Sequence, residues 1–150
     1  MNRLIIALFL GALLTGCAGL PKDHYIACPY DTVWEAVVET MDDRPITVKN
    51  KDKGLIETGW TEMAAKERPF GVFGRDAFDN KERARMSVSL KPRNDATEVS
   101  VVEMRQRWHL RGGVTQQATK WWPIEPSEDA MAAVMDRIND KVKDRGCSHG

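Results

Sequence analysis

Two segments of the chain, one towards each end, carry apolar residues at helical spacing. Residues at positions i, i+3, i+4 and i+7 share one face of an amphipathic helix, and in the first segment these positions hold Trp34, Val37, Val38 and Met41. The second segment repeats the pattern with Met131, Val134, Met135, Ile138 and Val142. Pro45 ends the first predicted helix and Gly146 ends the second.

Between these helices the apolar period changes to two residues, which is the period of a β-strand. Strands are therefore predicted around residues 46–49, 55–60, 83–90, 97–110 and 119–124. The fourth is long, and because Val101 and Val102 are both apolar, we expect a β-bulge near them that switches the inward face.

Clean alternation of apolar and polar residues is typical of a sheet with one buried and one solvated face. Both helical stripes are buried if the two helices lie on the same side of that sheet. The sequence therefore predicts an α+β fold, a single two-layer domain over residues 28–147 with a tail at 148–150. We expect an antiparallel sheet of about five strands packed on two helices. The predicted order is (β)-α-β-β-β-β-(β)-α, where parentheses mark the strands with the weakest pattern.

The chain begins like a bacterial signal peptide, with Arg3 before an apolar run and small residues ahead of Cys17. Leu14-Thr15-Gly16-Cys17 resembles the lipobox of bacterial lipoproteins, in which the cysteine is acylated and the chain is cleaved before it. The resemblance implies a signal peptide at 1–16, lipid on Cys17 and a short tether over 17–27. The alternative is an ordinary signal peptide with a chance cysteine, but such cleavage sites prefer a small residue where Leu14 stands.

The apolar run is shorter than the roughly 20 residues that a membrane-spanning helix needs. We therefore expect the lipid to anchor the protein without a transmembrane segment. Ala18 stands where enteric inner-membrane lipoproteins carry Asp, so the resemblance implies the outer membrane, on its periplasmic face. Basic and acidic residues number 22 each, and loss of Arg3 with the signal peptide changes that balance by one. Such a balance gives no electrostatic reason to expect nucleic acid as a partner.

Two cysteines remain once Cys17 is assigned to lipid, and the periplasm is oxidising. Cys28 precedes the first predicted helix and Cys147 follows the second, so antiparallel packing of the helices would place them side by side for a disulfide. Two unrelated thiols are the alternative. Cys147 and His149 are also metal-ligand residue types, but two ligands at a chain end are weak evidence for a metal. No metal or cofactor is expected, apart from the covalent lipid.

Three runs of residues resemble a known family: 29–37 (PYDTVWEAV), 46–48 (ITV) and 54–60 (GLIETGW). A helix with an early tryptophan, a strand, and a second strand ending in tryptophan are similar to the helix-grip domain of the NlpB/DapX lipoproteins. Proteins of this family are lipoprotein components of the outer-membrane β-barrel assembly machine. The resemblance implies a helix-grip domain and a role as an interaction module in envelope or outer-membrane protein assembly, with an envelope protein as its partner.

Catalytic signatures are hard to find in this sequence. His24, His109 and His149 stand apart from any serine or cysteine in a nucleophile motif, and the chain has no phosphate-binding loop motif. The protein is therefore predicted not to be an enzyme, and a hydrolase is the least supported hypothesis. The open alternative to an interaction module is a carrier of a small apolar ligand, which requires a cavity between sheet and helices lined by Met, Val and Trp.

Aromatic residues supply two candidate partner contacts. Phe70, Phe73 and Phe78 lie in a glycine-containing link between predicted strands, where they either form an apolar tip for a partner or fold back over a sheet edge. Trp121 and Trp122 are neighbours in a predicted strand, so their side chains point to opposite faces. Only one of the two can then enter the core, and the other covers a sheet edge or meets a partner.

Overall fold

The computed structural model describes residues 22–64, 81–109 and 120–147, which form a seven-stranded antiparallel sheet and two helices. The elements in chain order are β1 (Asp23–Ile26), α1 (Tyr30–Met41), β2 (Ile46–Asn50), β3 (Leu55–Thr58), β4 (Thr61–Ala64), β5 (Lys81–Arg93), β6 (Ala96–His109), β7 (Lys120–Ile124) and α2 (Glu128–Asp144). The α+β class predicted from the sequence is confirmed, but the sheet has seven strands rather than about five. The predicted strand at 55–60 ends at Thr58, and β4 follows it with every residue exposed. A strand without a buried side leaves no period in the sequence.

The hairpin of β5 and β6 forms the middle of the sheet. Its register runs without a break from Glu82 opposite Arg107 to Arg93 opposite Ala96. Two residues connect the strands, and the first of them, Asn94, has a positive φ of 39°. Asparagine tolerates this region better than most residues, which suits it to a two-residue hairpin turn.

The β-bulge predicted near Val101 and Val102 is wrong. Because the β5–β6 register is unbroken there, the two valines simply point to opposite faces: Val101 is buried and Val102 is exposed. The irregularity lies in β2 instead, between Ile46 and Val48. Ile46 consequently pairs with Thr58 on the helix side, whereas Val48 pairs with Glu57 on the opposite side.

Each strand of the long hairpin pairs with two short strands at different heights. β6 pairs with β1 near the turn and with β7 at the open end, while β5 pairs with β3 near the turn and with β4 at the open end. β2 pairs with β3 at the edge. The sheet therefore reads β1-β6-β5-β3-β2 at the turn end and β7-β6-β5-β4 at the open end.

The two helices cover one face of the sheet, which we call the inner face. Both predicted stripes are largely confirmed, with Trp34, Val37, Met41, Val134, Ile138 and Val142 at 0–5% exposure. They pack against inward side chains of β5 and β6, such as Val88 and Val99. Ser127 caps α2 by accepting a hydrogen bond from the Ala130 amide. Among the described residues, no helix has the length and apolar character needed to span a bilayer.

The helices pack side by side and antiparallel, which is the arrangement that a Cys28–Cys147 disulfide requires. Glu39 of α1 makes ion pairs with Lys141 and Arg145 of α2. These cations hold the pKa of the Glu39 carboxyl at about 2, chiefly through the hydrogen bond from Arg145. Cys28 and Cys147 come to disulfide distance, with Cα atoms 5.6 Å apart, inside the range that disulfides span.

A disulfide between Cys28 and Cys147 should contribute strongly to stability, because it closes a loop with a sequence separation of 119 residues. We expect reduction, or the double change Cys28→Ser and Cys147→Ser, to lower the free energy of unfolding by about 4 kcal/mol. Urea unfolding with and without reductant measures this. The double variant is the control and should not respond to reductant. A wild type that is equally indifferent would show that the bond does not form.

Gly54 should tolerate no side chain. Its φ is +61°, its carbonyl oxygen accepts the Leu90 amide at 2.7 Å, and a Cβ there would overlap the Leu90 carbonyl. We expect Gly54→Ala to cost at least about 2 kcal/mol in urea unfolding. Gly146 is the matched control: its φ is +83°, but nothing lies within 4 Å of the added carbon. Gly146→Ala isolates the backbone strain, so equal losses for the two variants would exclude the steric cause.

Candidate functional site

The face of the sheet opposite the helices, which we call the outer face, carries tryptophan and arginine side chains close together. Strand alternation assigns the odd residues of β5 and the even residues of β6 to it. In cross-strand register, Arg83 lies opposite Gln106, and Arg85 lies opposite Met104. β7 adds Trp121 to the same face, because Trp121 pairs with Trp108.

Three tryptophans and two arginines gather at the open end of the outer face: Trp60, Trp108, Trp121, Arg83 and Arg85. We call this group the tryptophan–arginine cluster. The Arg83 guanidinium contacts two indole rings, 4.5 Å from the centroid of Trp60 and 4.4 Å from that of Trp121. Trp108 meets Trp121 edge to face at 5.3 Å, and the Arg85 guanidinium is 5.2 Å from the Trp60 ring.

Local structure explains how Trp60 reaches this cluster. The backbone leaves the β3 ladder after Thr58, and the Gly59 amide donates to the Pro45 carbonyl at 2.7 Å. The chain then rejoins the sheet as β4, alongside the first residues of β5. Trp60 therefore lies between β3 and β4, which both pair with β5. This position brings it next to Arg83 and Arg85 of β5.

Apolar side chains extend the cluster along the outer face. Val102 is 36% exposed and Met104 is 47% exposed. They are two residues apart on β6, so both project from the same side. Arg85 donates to the Met104 sulfur at 3.0 Å through Nη2, which joins the apolar strip to the cluster.

Charge is matched at one end of the outer face and unmatched at the other. Near the hairpin turn, the side chains of Lys91 and Arg93 flank the carboxylate of Glu98 at 3.3 and 2.8 Å. The hydrogen bond from Arg93 is the main reason that the pKa of Glu98 is lowered. At the open end, neither Arg83 nor Arg85 makes an ion pair with a carboxylate of the described residues. Within the described residues, these two cationic groups have no counter-charge.

The inner face of the open end is organised differently, as a buried ion network. Arg107 contacts Glu82 at 2.7 Å and Arg105 contacts Glu103 at 3.4 Å, and both carboxylates are nearly inaccessible to solvent. Glu103 also accepts the Ser127 amide at 2.6 Å. Here each carboxylate has a cationic partner, and the network ties the start of α2 to the hairpin.

Several of the predicted site residues can now be placed. Trp121 and Trp122 do point to opposite faces, but neither joins the core: Trp121 belongs to the cluster, and Trp122 is 37% exposed in register with Arg107. Alternation allowed one of them to enter the core, but neither does, because β7 flanks the open end while the helices pack on the turn end. Cys17 and the phenylalanines Phe70, Phe73 and Phe78 lie outside the described residues.

The residues that sequence analysis missed are Trp60, Trp108, Arg83 and Arg85. Their alternation assigned the two arginines to the solvent side of a strand. Alternation could not show that tryptophans from other parts of the chain contact these arginines. Those contacts depend on strand register and on the way the chain passes from β3 to β4 at Gly59. The visible signal was an excess of tryptophan around the ends of the predicted strands.

Other candidate chemistry is sparse in the described part of the chain. No group of three or more His, Cys, Asp and Glu side chains there is placed to hold a metal ion. A shallow groove of about 460 Å³ lies between the N-terminus of α1 and the β2–β3 turn, where Tyr30, Lys51 and Lys53 contribute to its wall. Tyr30 donates to the Lys51 carbonyl, and burial raises the pKa of its hydroxyl.

No family model matches this chain. No curated protein matches it either. The tryptophan–arginine cluster and the apolar strip beside it therefore have to be interpreted from their own geometry.

We expect Arg83 and Trp121 to be energetically coupled, because a guanidinium over an indole ring is held by a cation–π interaction. A double-mutant cycle with Arg83→Gln and Trp121→Leu, measured by urea unfolding, should give a coupling energy of about 0.5 to 1 kcal/mol. Lys53, exposed in the β2–β3 turn, serves as the control in a cycle of Lys53→Gln with Trp121→Leu. The control cycle should be additive, and equal coupling in the two cycles would argue against a specific Arg83–Trp121 contact.

Proposed function

We propose that this protein is a lipoprotein, anchored in the outer membrane through Cys17, that acts in the periplasm as a non-enzymatic interaction module in envelope or outer-membrane protein assembly. The observation that carries the proposal is the outer face of the sheet, with its tryptophan–arginine cluster and its exposed Val102 and Met104. A helix-grip arrangement and kinship with the NlpB/DapX lipoproteins are part of the same proposal.

The cysteines support the compartment. Cys28 and Cys147 lie at disulfide distance, and disulfides persist in the oxidising periplasm rather than in the bacterial cytoplasm. The lipobox-like sequence that ends at Cys17 supplies the route to that compartment. The two features are independent, because one is a geometric relation within the folded domain and the other is a pattern ahead of it.

The composition of the outer face supports binding to a protein. Tryptophan, methionine and arginine are enriched where proteins bind one another, and tryptophan and arginine dominate binding energies at such interfaces. On this face all three residue types occur together, beside an exposed valine. The inner face of the same sheet buries its apolar residues under two helices, whereas Val102 and Met104 are exposed on the outer face.

The carrier alternative receives less support. It requires a cavity between sheet and helices, lined by Met, Val and Trp. The groove found among the described residues lies on the outside of the α1 N-terminus, and its wall includes lysines and aspartates rather than Met, Val and Trp. We therefore retain the interaction module as the proposed function.

Site-specific photo-crosslinking in intact envelopes tests this proposal. A photoreactive residue at position 104, on the outer face, should capture a protein partner, whereas one at the exposed position Asp136 of α2 should capture much less. Cys17→Ser should release the protein from the membrane fraction. Crosslinks that do not depend on position would contradict a specific partner surface. Co-purification of a stoichiometric apolar molecule, without any protein captured at position 104, would favour the carrier.

A further inference from the structure

We propose that the tryptophan–arginine cluster binds an extended acidic segment of a partner protein, with carboxylates at alternating positions. This inference rests on the proposed function and gives the partner a chemistry. Three observations support it: the unmatched charge of Arg83 and Arg85, the way their guanidinium groups are held, and their spacing along β5.

Among the arginines that the structure describes, only these two form no ion pair with a described carboxylate. On the same face of the same strand, Lys91 and Arg93 share Glu98. The carboxylates closest to Arg83 and Arg85 by register are Glu62 and Glu57, and neither forms an ion pair with them in the described structure. Glu57 instead faces Ser87, whose hydroxyl donates to it at 3.4 Å. An incoming carboxylate therefore meets cations that do not have to give up an ion pair with a described residue.

Contacts with Gln106 and with two indole rings restrict the conformation of the Arg83 side chain. Its Nε donates to Gln106 at 2.8 Å, while the rings of Trp60 and Trp121 lie 4.5 and 4.4 Å from its guanidinium carbon. The terminal Nη groups carry no hydrogen bond to the described residues. Arginine presents a planar fork that matches a carboxylate in two-pronged geometry. Fixing that fork in advance lowers the conformational entropy lost on binding.

The spacing of the arginines selects an extended ligand. Arg83 and Arg85 are two residues apart on one face of a strand, so their Cα atoms lie about 7 Å apart. The carboxylates of an extended segment reading acidic, apolar, acidic have the same repeat, because alternate side chains of such a segment project to one side. Val102 and Met104, beside Arg85, offer an apolar strip for a neighbouring side chain.

NMR spectroscopy of the full-length chain in detergent micelles can test this with defined probes. The acidic probe is a capped Ser-Glu-Val-Glu-Ser peptide, and its matched control replaces both Glu residues with Gln. We expect the acidic peptide to shift the indole N–H signals of Trp60 and Trp121 saturably. Trp34, which is 5% exposed in the core, should not shift and serves as an internal reference.

Charge variants then test the role of the two arginines. Arg83→Gln with Arg85→Gln should weaken binding of the acidic peptide about tenfold or more, as expected for loss of charge-assisted hydrogen bonds. Lys49→Gln with Lys53→Gln removes the same charge from exposed positions on the β2–β3 hairpin and should leave binding unchanged. Arg85→Gln alone, which leaves the contacts of Arg83 with Trp60 and Trp121 in place, keeps the test valid if the double variant misfolds, and should weaken binding several-fold.

The proposal is overturned if the acidic and Gln peptides shift the same signals equally, if no saturable shift occurs, or if both double variants lose binding alike. Binding to anionic phospholipid vesicles without binding to the peptide would also overturn it, in favour of a membrane-facing surface. These outcomes are separate from the crosslinking test. A partner captured at position 104 whose capture is unchanged by Arg83→Gln with Arg85→Gln would retain the proposed function and reject an acidic ligand.

Discussion

The unbroken register of the β5–β6 hairpin is the constraint on which the rest of this structure depends. It decides that Val88 and Val99 meet the helices while Arg83 and Met104 face away. Because the hairpin is longer than any of its neighbours, it also provides two separate places on each side where a short strand can pair. One half of the sheet thereby becomes a platform for helices. The other half, at the open end, carries the tryptophan–arginine cluster on its outer face.

At the open end of the sheet, charged side chains have different partners on the two faces. On the inner face, Glu82 and Glu103 are buried and matched with arginines, as the high cost of an unpaired buried charge requires. On the outer face, the arginines have aromatic rings in place of carboxylates. A cation over a ring keeps most of its charge available to solvent or to a ligand, whereas a cation in a buried ion pair does not. The outer face therefore keeps positive charge that no described carboxylate neutralises.

Sequence patterns predicted the parts of this fold that have a strong period. The stripes around Trp34 and Ile138, the inward residues of β5 and the meeting of Cys28 with Cys147 follow from amphipathic spacing and from antiparallel helices. The β4 strand could not be found in this way, since all its residues are exposed. The candidate site was predicted only in part, because strand alternation gives the face on which Arg83 lies but not which aromatic rings contact it. The rings that contact Arg83 are set by cross-strand register, which depends on pairing between residues distant in sequence.

The position of β1 relative to the two cysteines has a mechanical consequence. β1 ends at Ile26, just before Cys28, and is held by its pairing with β6 from Asp23 to Ile26. A bond between Cys28 and Cys147 places every later strand and both helices inside one covalent loop, while β1 stays outside it. If the chain is tethered through Cys17, a pulling force reaches β1 first and stops at the cysteines. Detachment of its four residues would lengthen the tether by roughly 13 Å at the cost of withdrawing Ile26 from the core, while the residues inside the covalent loop would not carry the force.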